Sequence, residues 1–160
     1  MESKSTQVFV TSHYREKRVV LWKNLDGSET MGKQIISTGK APKPMGPYSQ
    51  AVRAGDLIFL AGQIPIDPKT GTLIQGDIRD QTKRVLENVK AILEAANLSM
   101  GDVVKTSVFL KNIADFPKMN EVYGTYFGSG SPARSTVQVA NLPSGAEVEI
   151  EVVAYTPNQA

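Results

Sequence analysis

Six strand-like stretches but only two segments with a helical apolar stripe follow Lys33, and this imbalance limits the fold more than any other feature of the sequence. The longer stripe runs from Asp77 to about Asn97. Ile78, Val85, Leu86, Val89, Ile92, Leu93 and Ala96 recur at three- and four-residue steps, with Arg79, Lys83, Glu87, Lys90 and Glu94 mostly outside. Asp77 is placed to cap this helix. A second helix is predicted over 115–127, with Asp115 as its cap and Pro117 in the first turn, where a missing N–H costs little. Strands are predicted at "QIISTG", at "YSQAVRAG" and "DLIFLAGQIP" joined tightly at Gly55-Asp56, at "DVVKTSVFLK", and in a closing pair within "PARSTVQVANLPSGAEVEIEVVAY". The order β-β-β-α-β-α-β-β makes an α+β fold, both helices packing on one face of a single sheet. The other face, rich in Val, Ile, Phe and Leu, has no third helix to shield it, so association of subunits through the sheet is its simplest cover.

Composition removes several classes of function. With 160 residues, a hydrophobic fraction of 41% and a net charge of +2, the chain reads as one globular domain with a short appendage. No apolar run approaches the ~18 residues of a membrane span, and the first thirty residues lack the order of a signal peptide, so a cytoplasmic protein without a membrane partner is expected. The absence of cysteine excludes disulfides, thiolate nucleophiles and cysteine ligands, and His13 is the lone imidazole, which leaves a zinc site or a serine-histidine triad without members. No metal is expected. Eighteen basic and sixteen acidic residues, spread without a block of either sign, do not make a nucleic-acid surface. Residues 1–31 read as an amino-terminal extension ahead of a domain over 32–160. Within them "QVFVTSHY" and "KRVVLWKN" can pair as a hairpin across Arg15 and Glu16, and "DGSETMGK" is turn-like. The extension is either an arm packing on the domain or a partner, or the residue of an upstream start.

Acid, base and electrostatic work then falls to Arg, Glu, Asp, Tyr, Asn or backbone groups. Arg134 opens a strand beside Ser135, with Thr136 and Gln138 on its own side. A guanidinium among small polar groups can grip a carboxylate through two parallel bonds; the alternative is an ordinary surface arginine. Glu147, Glu149 and Glu151 alternate with Val148, Ile150 and Val152. They read either as a solvated face or, because Val153 and Tyr155 share their side, as a face that becomes buried toward the strand's end, where a carboxylate can act as general base. In "PMGPYSQAV", Gly46-Pro47 bends the chain and presents the Tyr48 hydroxyl at a strand's start, unless Tyr48 closes the core. Phe116 and Asn120 share a helix face, where the amide calls for a partner. Gly62, after Ala61 in "LAGQIP", lets a ligand approach backbone N–H groups. If the closing strands form a hairpin, Arg134 and Glu149 lie ~16 Å apart; if another strand separates them, they are two spacings or ~9.6 Å apart. A joint site therefore favours contributions from two subunits.

The ordered set "GPYSQAV", "LAGQIPIDPKTG", "NVKAILEAA", "DVVKTSVFLKNIADFPKMNEVY", "PARSTVQVANLP" and "EVEIEVVA" resembles the reactive-intermediate deaminases, the RidA/YjgF family of 2-iminobutanoate/2-iminopropanoate deaminases, over essentially 33–155. The resemblance implies a chorismate-mutase-like fold, a last strand inserted between earlier ones, and a homotrimer with sites at the clefts between subunits. It implies cofactor-free hydrolysis of 2-imino acids and their enamine tautomers to 2-keto acids and ammonia. By motif, Arg134 clamps the substrate carboxylate, Glu149 positions or activates water and Tyr48 orients the substrate, while Gly62, Phe116 and Asn120 line the pocket. Two departures stand out: Thr136 where many members have cysteine, and Ala61 where some have serine. Thiol-dependent chemistry is thereby excluded, and the Thr136 hydroxyl is left as a pocket group. The rival function is a trimer that binds or senses 2-keto acids without turning them over.

Overall fold

The computed structural model describes residues 33–156 in full and, ahead of them, the backbone of 8–14, 17–23 and 29–30. There β1 (Val8–Tyr14) and β2 (Lys17–Lys23) pair antiparallel from Val8↔Lys23 to Tyr14↔Lys17, and β3 (Glu29–Thr30) pairs with β2. The hairpin expected between the two β-rich stretches is formed. Its turn at Arg15 and Glu16 lies outside the described residues, as does most of the turn-like run from Asp26.

The main body comprises β4 (Gln34–Ile36), β5 (Ala51–Ala54), β6 (Leu57–Gln63), α1 (Ile78–Ala95), β7 (Val103–Leu110), α2 (Phe116–Phe127), β8 (Ala133–Gln138) and β9 (Val148–Tyr155). Its six strands lie in the order β4-β5-β6-β9-β7-β8, and only β7 and β8, joined through α2, run parallel. The last strand is thus threaded between β6 and β7. Of the two geometries considered for the closing strands, the hairpin is not formed, and β7 separates β8 from β9. Position in the sheet explains the choice: Val148, Ile150, Val152 and Ala154 are all almost fully buried, and a central strand buries more apolar surface than an edge one.

Capping sets where the helices begin. The Asp77 carboxylate accepts from the N–H of Arg79 (2.8 Å) and Asp80 (3.2 Å), and Asp80 returns the bond to the Asp77 N–H (3.3 Å), closing a capping box. The predicted stripe of α1 is buried throughout from Ile78 to Leu93. The cap assigned to Asp115 is a correction. Asp115 makes no side-chain capping bond and has helical backbone angles (φ −83°, ψ −3°), because it closes a short 3₁₀ turn over Ile113–Asp115. A true N-cap is extended, which aims its side chain at the free amides. Asn112 meets that requirement (φ −137°, ψ 120°) and accepts from the Ala114 N–H at 3.0 Å.

Both helices cover one face, where Ile58, Leu60, Val108, Leu110, Ile150 and Val152 meet Val85, Leu86, Val89, Ile92, Met119 and Tyr123 in one core. The opposite face is uncovered. Ile35, Val52, Phe59 and Val153 form a continuous register row across four strands, and Leu57 pairs with Tyr155 beside them. Ile35 is 61% exposed, Phe59 46% and Tyr155 44%. The burial anticipated toward Tyr155 is therefore not met among the described residues. Among the described residues no helix is long and apolar enough to cross a membrane.

The capping geometry separates two aspartates. Asp77→Ala is expected to lower stability by about 1 kcal/mol. Asp115→Ala removes only a long, exposed contact to Lys118 (3.9 Å) and should change stability by less than about 0.5 kcal/mol. Urea denaturation at fixed protein concentration measures both.

Candidate functional site

Four of the predicted site residues come together in a cleft of ≈ 280 Å³, where Tyr48, Ala61, Gly62 and Glu149 line the wall with Met45 and Ile64. A β-bulge builds it. Leu60 pairs with Val152 but Gln63 with Ile150, so Ala61 and Gly62 together stand opposite Glu151. Such bulges re-aim side chains and often flank active sites. Gly62 is required by its neighbour: a Cβ there would lie 2.9 Å from Cδ and 3.1 Å from Cγ of Glu149, and closer still to Oε1. In this chain it is the Glu149 carboxylate that occupies the space over the glycine.

That carboxylate is half-buried, and burial raises its pKa above the ordinary value, with the Glu151 charge adding in the same direction. Tyr48 is 52% exposed, which excludes the role of core closure. Its hydroxyl oxygen accepts from the Met45 N–H at 3.2 Å, so the phenolic proton is left to donate outward. Reasoning on the sequence missed Gln50. Its buried amide accepts from the Thr38 N–H (2.6 Å) and donates to the carbonyls of Thr38 (3.1 Å), Ala41 (3.3 Å) and Pro42 (2.8 Å), pinning the loop that forms one rim of the cleft. The available signal was its place two residues after Tyr48, immediately before the first residue of β5.

The remaining predicted residues lie elsewhere. Arg134 pairs in register with Thr106, whose hydroxyl is 2.7 Å from that of Tyr123 on α2, so Arg134 belongs to the helix-covered face. Its guanidinium carbon sits 4.5 Å from the Tyr123 ring centre and 5.3 Å from that of Phe116. Among the described residues no carboxylate is within ion-pair distance of it. Thr136, two residues along the same face, has a hydroxyl that is buried without a hydrogen-bond partner. Asn120 is solvent-exposed on α2, so its amide does not need the internal partner that was expected.

Glu149, flanked by buried Val148 and Ile150, points to the open face. Arg134 and Glu149 are thus on opposite faces, two strand spacings and three register steps apart, about 14 Å in the plane of the sheet. One chain does not bring them to one ligand. It carries two separate groups of polar residues: a phenol and a carboxylate in a cleft on one side, and an arginine with an orphaned hydroxyl on the other.

Comparison with known proteins gives this arrangement a context. The family described as Endoribonuclease L-PSP matches residues 38–156. A RutC family protein of Pyrococcus horikoshii is 60% identical over 123 residues, covering 77% of this chain and 98% of that protein. A Homo sapiens protein named 2-iminobutanoate/2-iminopropanoate deaminase is 48% identical over 122 residues, covering 76% of this chain and 89% of its own length. Among solved structures, E. coli TdcF with bound serine is similar at a TM-score of 0.74 and 46% identity, over 78% of this chain and 99% of that one.

Two outcomes follow from Glu149 lying against Gly62. Gly62→Ala is expected to destabilise the protein by roughly 1–3 kcal/mol. In a Glu149→Ala background the cost should shrink, giving a coupling of at least about 0.5 kcal/mol in a double-mutant cycle. The pH effect has a definite sign. A carboxyl whose folded pKa is raised holds its proton more tightly when folded, so its contribution is present below the unfolded pKa and is lost as pH rises through the raised one. Glu149→Gln should therefore be more stable than the native chain at neutral pH, the difference closing in acid, as read by thermal unfolding across pH.

Proposed function

The chain belongs to the Endoribonuclease L-PSP/RidA family, and on that premise we propose that it hydrolyses reactive 2-imino acids and their enamine tautomers, such as 2-aminoacrylate and 2-aminocrotonate, to 2-keto acids and ammonia. The observation that carries the reading is the split of the site. An arginine with no carboxylate partner among the described residues sits on one face, and a half-buried carboxylate beside a phenol sits on the other, next to an apolar surface that no described residue covers. A homotrimer that applies the edge strand of one copy to the cleft of the next completes three sites. Relatives named as 2-iminobutanoate/2-iminopropanoate deaminases support the substrate class, and the serine bound to TdcF is a small molecule with the same acid end. The catalytic unit in this reading is the domain over 32–160, with 1–31 as an appendage, acting in the cytoplasm.

The chemistry is modest. Once its nitrogen is protonated, the C2 of an imino acid is already electrophilic, so catalysis consists of holding it still and delivering water. Arg134 takes the carboxylate with two parallel N–H donors. Tyr48 donates to the substrate through its free phenolic proton. Glu149 accepts a proton from water as the C2–O bond forms, giving a carbinolamine. It returns that proton to nitrogen; as the C2–N bond breaks and C2=O forms, the carbinolamine hydroxyl proton passes to the departing ammonia, and ammonium and the 2-keto acid leave. A carboxylate with a raised pKa suits both halves, being less costly to protonate in the cleft.

Ammonia release from freshly generated 2-aminoacrylate should accelerate with the native protein. Arg134→Ala should lose about 3 kcal/mol of transition-state stabilisation, roughly 10²-fold in kcat/KM. An undiminished rate in that variant would overturn the reading, and firm binding of 2-oxobutanoate without faster imine decay would select the sensing role. The rate should rise with pH through a Glu149 ionisation lying above the ordinary carboxylate value, and Glu149→Gln should abolish that limb. Shared sites have their own test. If Arg134 and Glu149 come from neighbouring subunits, reassembling the inactive Arg134→Ala and Glu149→Gln chains in equal amounts restores about a quarter of native activity, the chance that one interface draws both intact residues. No recovery would place both residues in one subunit's site.

A further inference from the structure

We infer that Tyr123 is a positioning residue for Arg134, holding the guanidinium by its ring face so that the in-plane N–H donors remain available to a substrate carboxylate. The inference rests on the reading of Arg134 as the carboxylate clamp.

The geometry is a closed triangle. Arg134 on β8 and Thr106 on β7 are register partners, so one strand pairing fixes both backbones. The Thr106 hydroxyl lies 2.7 Å from the Tyr123 hydroxyl, which fixes the tip of the Tyr123 ring. The guanidinium carbon of Arg134 lies 4.5 Å from the centre of that ring, which closes the figure. Tyr123 is 4% exposed, and Phe127 packs on it at 4.5 Å between ring centres, so the ring has little freedom to turn. Phe116, two helical turns earlier on α2, offers a second ring at 5.3 Å.

The choice of an aromatic holder has a reason. A buried arginine is commonly oriented by an aspartate or glutamate, which uses its donors and cancels its charge. Such a partner would compete with the acid end of any substrate. An aromatic face instead attracts the cation through the ring's quadrupole and, beyond hydrogen bonding with the Tyr123 hydroxyl, leaves the N–H donors unspent. It also orients a planar group as a plane, which lysine cannot exploit. The phenol remains neutral, because burial raises its pKa and outweighs the Thr106 hydroxyl and the charge and hydrogen bonding of Arg134, which pull the other way. The Tyr123 hydroxyl is then free to serve as a tether.

Steady-state kinetics on 2-aminoacrylate and titration with 2-oxobutanoate test this. Tyr123→Leu, which removes the face, should raise KM and the 2-oxobutanoate Kd about 10- to 30-fold with kcat changed less than about 3-fold. Tyr123→Phe, which keeps the face, should stay within about 3-fold of native. In an Arg134→Ala background Tyr123→Leu should cost nothing more, whereas a merely structural role would weaken both backgrounds alike. Phe116→Leu, at a half-buried position, should shift KM in the same direction by less, and it decides the matter if Tyr123→Leu does not fold. Equal damage from the Phe and Leu variants of Tyr123, or native binding in both Tyr123→Leu and Phe116→Leu, overturns the inference alone, provided Arg134→Ala weakens binding measurably. If Arg134→Ala binds 2-oxobutanoate normally, the functional reading itself has failed.

Discussion

The insertion of β9 between β6 and β7 is the constraint from which most of this molecule follows. Four alternate side chains of that strand, Val148, Ile150, Val152 and Ala154, are buried almost completely under the helices. The two-residue period of a strand then leaves no choice for the residues between them. Glu149, Glu151 and Val153 must face the other way. A one-residue slip would bury the glutamates under α1 and α2 at a cost of several kcal/mol per unpaired charge, so the hydrophobic core and the outward carboxylates are two readings of one register.

The same insertion separates the functional groups. With β9 inside the sheet, β8 becomes an edge strand paired only with β7, and Arg134 is carried to the margin of the helix-covered face. The open face keeps the carboxylate, the phenol and the apolar row from Ile35 to Val153. A contiguous apolar surface of this kind is a liability for a lone chain and a docking surface for a second copy. In the proposed reading, the feature that divides the candidate site within one chain is also the one that leaves an apolar face for assembly.

The sequence disclosed what depends on local period and little of what depends on distant pairing. The α1 stripe and the Asp77 cap were legible because they require only neighbours within a turn. The tight β5–β6 connection was legible in Gly55-Asp56 for the same reason. Strand order was not, since nothing local in "EVEIEVVAY" says whether it pairs with β8 or enters between β6 and β7; the hairpin and the inserted strand fitted equally well, and resemblance to a family favoured the second. Asp115 misled because its residue type suits a cap while its backbone belongs to the preceding turn. Tyr123 was not singled out in the sequence; it is buried in the core while its ring carries Arg134, a contact across strands and a helix that no spacing encodes. The divided placement of Tyr48 and Glu149 against Arg134 and Thr136 was foreseen only as an argument from distance.

A site assembled this way spends stability on electrostatics that pay no return until a ligand arrives. Glu149 is held where burial disfavours its charge, against a glycine that can bear no side chain. Arg134 lies on aromatic faces without a counter-ion among the described residues, and the Thr136 hydroxyl is buried without a partner. Each would be more stable if paired inside the chain. The pairings, however, would remove the capacities that recognition of a small acid requires: a free anion to aim water, a cation with unspent donors, and a hydroxyl ready to bond. A chain without cysteine and with one histidine has few other means of doing chemistry. In the proposed reading, polar groups left unsatisfied on two faces become a site only when assembly brings them together, and a single subunit would be inert.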